Sequence, residues 1–374
     1  MVKCQVIMDA MERIAPRHLA EEWDNPGLLV GSPSQEIQRI FVCLDVSENV
    51  VDHAIREGYD LLLSHHPLIF KPLKKVRTDL PQGVVLQKLL AHDIAVFSAH
   101  TNLDIAAGGV NDVLAEAIGL KDLQPFDVTQ TEELEKLAVY VPHDHAEKVR
   151  DAITKAGAGW IGRYSCCTFR VEGKGTFLPM EGTHPFIGAQ GELETVDEVR
   201  IETILPAHLE RRVVRAMLAA HPYEEAAYDI YPLKNPGKPQ SLGRIGALAE
   251  PLSVEEFAAQ VRSGLHADHV RMVKAGEHPV KKVALCSGSG AEFIGKAAFM
   301  GADAYVTGDV KYHDAQHAVQ QGLHVIDAGH FSTEFPIVPV LAERLKKEIA
   351  GIKGGAEVEI VADDFSRDFF QIVH

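Results

Sequence analysis

The chain of 374 residues is short of several features, and each shortage removes a class of function. No apolar run approaches the roughly 18–20 residues that span a bilayer, so no transmembrane helix is expected. The opening Met1-Val2-Lys3-Cys4-Gln5 leads into a helical pattern broken by Asp9, Glu12 and Arg13. A signal peptide would instead carry an uninterrupted apolar core there. Positive charge is scarce: 37 Lys and Arg stand against 53 Asp and Glu, a formal net charge of −16. Nucleic acid is therefore not the expected partner, since phosphate binding needs clustered cations. Cysteines are few and odd in number: Cys4, Cys43, Cys166, Cys167 and Cys286. None is paired at zinc-site spacing, and adjacent cysteines rarely bridge each other, so reduced thiols in a cytoplasm are expected. Low-complexity segments are also missing.

What remains is an ordinary globular composition, 46% hydrophobic and 24% charged, long enough for two or three domains. Histidine is in mild excess at 19, so position must decide which ones matter.

Read in order, residues 4–15 show apolar side chains at helical spacing. Ile40 to Leu44 and Tyr59 to Leu63 read as buried strands. Between them Ser47 is a helix N-cap and Gly58 a stop. Pro81 to Ala91 reads as a helix, Ile94 to Ser98 as a strand, His100 to Asp104 as a loop, and about Val110 to Ile118 as a helix. This alternation predicts an α/β domain with a largely parallel sheet, whose ligands sit beyond the carboxyl ends of the strands. After Pro125 the character changes. Leu134 to Val141, a helix over 144–156, a Gly-rich strand pair over Tyr164 to Phe177, then Glu198 to Leu205, Ala207 to Ala220 and Ala226 to Tyr231 follow the order β-α-β-β-α-β. That order predicts a ferredoxin-like α+β domain. Asn235-Pro236-Gly237-Lys238-Pro239 closes it like a linker. From Val283 the α/β alternation resumes, with a tight turn at Ser287-Gly288-Ser289-Gly290 and a helix from about Thr333 to Ile349.

The two α/β segments form a quasi-repeat. Each ends with a histidine followed four residues on by a carboxylate: His100 with Asp104, and His330 with Glu334. The expected division is lobe one over 1–125, an inserted domain over 126–239 and lobe two over 240–374, with the two lobes folding together as one metal-binding domain.

Ser64-His65-His66-Pro67 follows an apolar strand, so both imidazoles fall at a strand end. With Asp104, His330 and Glu334 they make three imidazoles and two carboxylates, a donor set suited to zinc, iron, manganese or cobalt. Five protein ligands exceed what one catalytic ion usually takes, so two divalent ions sharing a carboxylate fit the count better. An isolated His-His pair could equally cap a strand by hydrogen bonding; the carboxylates and the strand-end position favour metal. His100, Asp309 and His313 are candidates for acid–base or ligand-orienting work. His317, one turn after His313, reads more simply as a solvated side chain. Ser287 to Gly290 could cradle a phosphate at a helix start, or merely join strand to helix. Lys71, Lys74, Lys75 and Arg77 form a basic run beside the histidines, suggestive of an anionic ligand or an ordinary solvated loop. Cys166-Cys167 reads as packing. His221-Pro222-Tyr223-Glu224-Glu225 could be a helix-to-strand turn, a subunit contact or a second ligand site.

Five stretches together resemble one family. They are Glu22-Trp23-Asp24-Asn25-Pro26-Gly27-Leu28, Ser64-His65-His66-Pro67-Leu68-Ile69-Phe70, His100-Thr101-Asn102-Leu103-Asp104, Gly308-Asp309-Val310-Lys311-Tyr312-His313 and Gly329-His330-Phe331-Ser332-Thr333-Glu334. The chain is similar over its whole length to the dinuclear-metal proteins called GTP cyclohydrolase I type 2 homologues, or Nif-three-like proteins. The resemblance implies His65, His66, Asp104, His330 and Glu334 as ligands, with His66 and Asp104 on one ion, His65 and His330 on the other, and Glu334 bridging. It also implies a PII/CutA-like insert and a toroidal homohexamer. The expected activity is metal-dependent hydrolysis of a small anionic, nucleotide-like ligand. The alternative is a non-enzymatic metal-binding or regulatory assembly whose insert senses a ligand or partner.

Overall fold

A computed structural model describes residues 1–372, which divide into two compact units: Met1–Thr129 together with the chain from Gln240 onward, and Gln130–Pro239.

The first unit holds two large sheets and a small one that pairs Val2–Lys3 with Glu36–Ile37. One has the strand order Glu359–Ala362, Arg39–Cys43, Leu61–Ser64, Ala95–Ser98, Gly27–Val30, parallel except for the last strand. Leu61, Leu62 and Leu63 are all fully buried, as expected for a strand covered on both faces. Parallel neighbours need helical crossovers, and the helices Glu48–Glu57 and Pro81–Ala91 supply them. The Ser47 hydroxyl accepts from the Val50 amide at 3.3 Å, and Gly58 stops the same helix in the left-handed region at φ 71°.

The second sheet has the order Arg271–Val273, His324–Asp327, Ala304–Gly308, Val280–Ser289, Pro239–Leu252, Lys121–Thr131. Its Val280–Ser289, Ala304–Gly308 and His324–Asp327 strands are parallel neighbours in chain order, as are Arg39–Cys43, Leu61–Ser64 and Ala95–Ser98 in the first.

The segments before Gln130 and after Pro239 exchange elements. Glu359–Ala362 pairs with Arg39–Cys43 in the first sheet, and Ile337–Ile349 packs its buried Leu341 and Leu345 into the same core as Ile7 and Leu63. Conversely, Lys121–Thr131 edges the second sheet, and Leu114, Ala115 and Ile118 pack with Val283 and Val306. Each stretch therefore buries part of its apolar surface against the other.

Four local expectations differ from the structure. Thr101–Ile105 is a short helix rather than loop, and the Asp24 carboxylate accepts from the Thr101 amide and hydroxyl at its start. The long helix expected after Thr333 is two, His330–Glu334 and Ile337–Ile349, with Pro336 between them lacking the amide that would continue the first. Val280–Ser289 runs through most of the supposed tight turn. In the second unit, the pair of strands expected over 164–177 is a single strand, Thr168–Phe177; Cys166, inside the expected span, sits at φ 57°, a left-handed conformation that strands do not use.

That unit is a four-stranded antiparallel sheet in the order Tyr228–Pro232, Leu134–Pro142, Glu194–Pro206, Thr168–Phe177. The helices Ala146–Lys155 and Glu210–Ala220 cover it, burying Val149, Ile153, Val213 and Met217 against Leu137, Val139 and Ile201. No helix among the described residues is long and apolar enough to cross a membrane.

Candidate metal centre

His65 and His66 leave the end of the strand Leu61–Ser64 with their backbone pinned. Their amides donate to the Cys43 and Leu44 carbonyls at 3.2 and 2.9 Å. The Ser64 hydroxyl donates to the His66 carbonyl at 2.9 Å. The helix His330–Glu334 places its first and last side chains on one face. Thr333 anchors that helix, accepting at its hydroxyl from the Gly288 amide at 3.0 Å.

Four imidazoles spend the same nitrogen on an acceptor. Nδ1 of His65 donates to the Ala99 carbonyl at 2.9 Å. Nδ1 of His66, His100 and His330 donates to Asp45, Asp24 and Asp309, each at 2.8 Å. Carbonyls and carboxylates only accept, so in the neutral ring these contacts leave a lone pair on each Nε2. Those lone pairs meet carboxylate oxygens. His66 and His330 bring Nε2 to 2.9 and 3.2 Å from Glu334 Oε2. His65 Nε2 stands 3.8 Å from Glu334 Oε1 and 3.6 Å from Asp104 Oδ1. His65 Nε2 and Glu334 Oε2 are buried with no hydrogen-bond partner. Buried acceptors facing one another are costly unless something positive lies among them, and divalent cations match this donor set.

Three groups bring their ligand atoms within 4.8 Å of one another: His65, Asp104 and Glu334; His66, His330 and Glu334; and His65, His66 and His100. Glu334 is common to the first two. In this grouping His66 converges with His330, and His65 with Asp104, whereas the family resemblance implies His66 with Asp104 and His65 with His330. The His66 and His330 rings lie edge to face at 5.3 Å, on the same carboxylate oxygen.

Without a cation, protons would fill the nest. Burial opposes charge on His66, but Asp45 and Glu334 outweigh it and hold the imidazolium up at about 10. The Glu334 carboxylate, ahead of the opposing effect of burial, holds His330 up at about 9. Burial opposes the Glu334 charge too, yet the three imidazoles keep its carboxyl well below the ordinary range. Burial raises Asp104. The sign follows directly. In the metal-free centre these values would keep His66 and His330 protonated at pH 7.5, so metal loading there should release about one proton from each, and that contribution should vanish as pH rises through about 9 to 10. Calorimetry in buffers of different ionisation enthalpy reads this number; loading without proton release at pH 7.5 would contradict it.

Asp45 lies beyond the end of Arg39–Cys43 and was not singled out in the sequence, although the strand-end rule applies to it as to His65. Asp24, within the turn-rich Glu21–Gly27 stretch, orients His100. Burial would raise its carboxyl, but hydrogen bonds from His100 and Thr101 hold it at about 2. Asp45→Asn should loosen the His66 ring and weaken metal binding by about 10–100-fold, measured by competition with a chelator. Unchanged affinity would remove Asp45 from the site.

A cavity of about 500 Å³ adjoins His66 and His330, lined also by Asp45, Arg271, Asp327 and Phe370. Arg271 reaches the buried Asp327 carboxylate. The basic run does not line this cavity; Lys71, Lys74, Lys75 and Arg77 edge a separate hollow with Phe70. The Ser287–Gly290 amides are also committed elsewhere. Those of Ser287, Gly288 and Gly290 donate to Asn111, Thr333 and Thr307 at 2.9, 3.0 and 3.0 Å. This turn is a floor under Glu334 rather than a phosphate cradle. Asp309 reaches the centre through His330. His313 is exposed, with its ring against Tyr312 and Nδ1 3.5 Å from Gln316, and lies outside the three groups, as does His317.

Residues 2–368 match the model of a family described as Duf34/NIF3 (NGG1p interacting factor 3). A Halalkalibacterium halodurans protein named "GTP cyclohydrolase 1 type 2 homolog" is 46% identical over 369 residues, covering 99% of this chain and 98% of its own. A Bacillus subtilis protein of the same name is 48% identical over 331 residues, 88% of this chain and 89% of its own. The crystal structure of a Bacillus cereus protein related to NIF3 superposes with a TM-score of 0.92 at 44% identity, covering 100% of this chain and 99% of that one.

Proposed function

Since the chain belongs to the Duf34/NIF3 family, and since Glu334 joins two groups of possible metal ligands, we propose that it is a dinuclear divalent-metal protein that hydrolyses a nucleotide-like anion. One observation carries the reading: a buried carboxylate faces three imidazole nitrogens, and two of the buried atoms lack any hydrogen-bond partner. His65 and Asp104 would hold one ion and His66 and His330 the other, with Glu334 shared. Zinc, iron and manganese all suit these donors. A pair of such ions acidifies water and so supplies a nucleophile near neutral pH.

The chain's own groups have separable roles. Asp45, Asp309 and the Ala99 carbonyl hold the imidazoles in the tautomer that leaves Nε2 free. His100, oriented by Asp24, would move a proton at its Nε2. Arg271 would meet the anionic part of a substrate in the adjoining cavity. His313 has no part in this scheme. The cavity beside His66 and His330 favours turnover over storage, because their side chains are 24% and 39% exposed and so reachable.

The order of strands and helices over 130–239 supports a ferredoxin-like insert of PII/CutA type, and a cytoplasmic toroidal homohexamer belongs to the same reading. A non-catalytic regulator is the second reading, favoured by one observation: 130–239 supplies none of the candidate ligands. Elemental analysis followed by a screen of nucleotides and phosphoesters with the metal-loaded protein separates the two. Turnover that disappears in His66→Ala together with the metal is expected. Turnover surviving complete metal loss would sink the hydrolase reading.

A further inference from the structure

The unit Gln130–Pro239 has a cavity of its own, of about 500 Å³. Its walls include Phe177, Phe186 and Tyr223. The Phe177 and Tyr223 rings meet at 5.7 Å and 62°, and the Phe186 and Tyr223 rings at 6.3 Å and 50°. Three carboxylates share the lining, those of Glu198, Glu224 and Glu225, and among the described residues no lysine or arginine does. Two of these belong to the His221-Pro222-Tyr223-Glu224-Glu225 stretch, which the metal centre leaves unused.

The Glu198 carboxylate is held in place. It accepts from the Tyr223 hydroxyl at 3.0 Å. Burial, and then Glu198 itself, push the Tyr223 phenol up, so it stays a donor. Gly175, on the neighbouring strand Thr168–Phe177, has no side chain, and a Cβ there would overlap the Glu198 carboxylate. Its φ is not positive, so this glycine provides room rather than backbone freedom. A glycine inside a strand costs stability, and here it leaves space for a negative charge beside aromatic faces.

Ring faces carry negative potential and attract cations. A neutral apolar guest would cover the Glu198 carboxylate without replacing its water, which is costly. An anion would meet three like charges. We propose that this cavity binds a small organic monocation, an amine or quaternary ammonium carried on an apolar body. The ammonium lies beside Glu198 and the Tyr223 ring, and the apolar body packs between Phe177 and Phe186. The site is independent of the metal centre and of the hydrolase reading.

The test uses the full-length, metal-loaded protein and isothermal titration with three probes of similar shape: phenethylammonium, 2-phenylethanol and phenylacetate. Phenethylammonium is expected to saturate one site per chain, at least tenfold more tightly than the alcohol, with no binding of phenylacetate. Glu198→Gln should abolish the preference for the cation, and Tyr223→Leu should weaken the cation more than the alcohol. Unchanged circular dichroism and metal content show that these two variants are folded. Glu334→Gln, titrated without metal below its melting transition and shown folded by circular dichroism, should leave phenethylammonium binding intact. Equal or tighter binding of the alcohol would overturn the proposal and leave an apolar hollow. So would full cation binding in Glu198→Gln, or its loss in Glu334→Gln, which would place the cation at the metal centre.

Discussion

Glu334→Gln is expected to strip the metal centre. One carboxylate oxygen lies 2.9 and 3.2 Å from the His66 and His330 nitrogens, and the other 3.8 Å from His65. The amide keeps the shape, removes the charge and, in one orientation, turns its own N–H groups toward the site. Loss of an orienting partner costs roughly 10–100-fold in metal affinity, so loss of the shared carboxylate should cost more. A ligand at 1,000 times its dissociation constant stabilises the folded state by about 4 kcal/mol. Wild-type protein should therefore melt markedly higher with metal than after chelation, and the variant should show little difference. Elemental analysis after gel filtration, with paired melting curves, reads both effects. A variant that keeps two ions per chain would refute the central place given to Glu334.

Gly288→Ala should have nearly as large an effect on metal, from a residue that is no ligand. Gly288 sits at φ 61°, where an L-residue costs about 1–2 kcal/mol. Its amide is tied to Thr333. A Cβ there would collide with Glu334 Oε1 and come within 3.3 Å of the His330 ring. The carboxylate must move out of the nest, and metal affinity should fall by at least ~100-fold, at the upper end of what disturbed ligand orientation costs. Gly322→Ala is the control. Its φ is 68°, yet nothing lies within 4 Å of the added atom. It should lose comparable stability and keep its metal. If both variants retain metal equally, the contact with Glu334 does not matter.

Much of the scaffold was legible from local pattern. Ser47 and Gly58 act on the nearest turn of backbone, so their capping roles survive in the structure. Leu61 to Leu63 form an apolar run only a doubly covered strand could use, which put His65 and His66 at a strand end. Local reading failed in two ways: a distant partner intervened, or a nearby residue broke the element. Thr101 is helical because Asp24 receives its amide, whereas Pro336 splits the last helix and Cys166 turns to positive φ just before Thr168. The exchange of Glu359–Ala362 and Lys121–Thr131 between sheets has no local signature, because strand pairing is settled by sheet closure.

The candidate site divides along the same line. His330 and Glu334 share a helix face by spacing alone, and the types of donor were visible in the chain. Only the tertiary structure decided that His66 meets His330, that Asp45 and Asp24 orient imidazoles, and that the Ser287–Gly290 amides are already taken. Periodicity and capping act over a few residues. The direction of an imidazole nitrogen depends on which carboxylate the fold sets behind it, and those carboxylates come from other strands and turns.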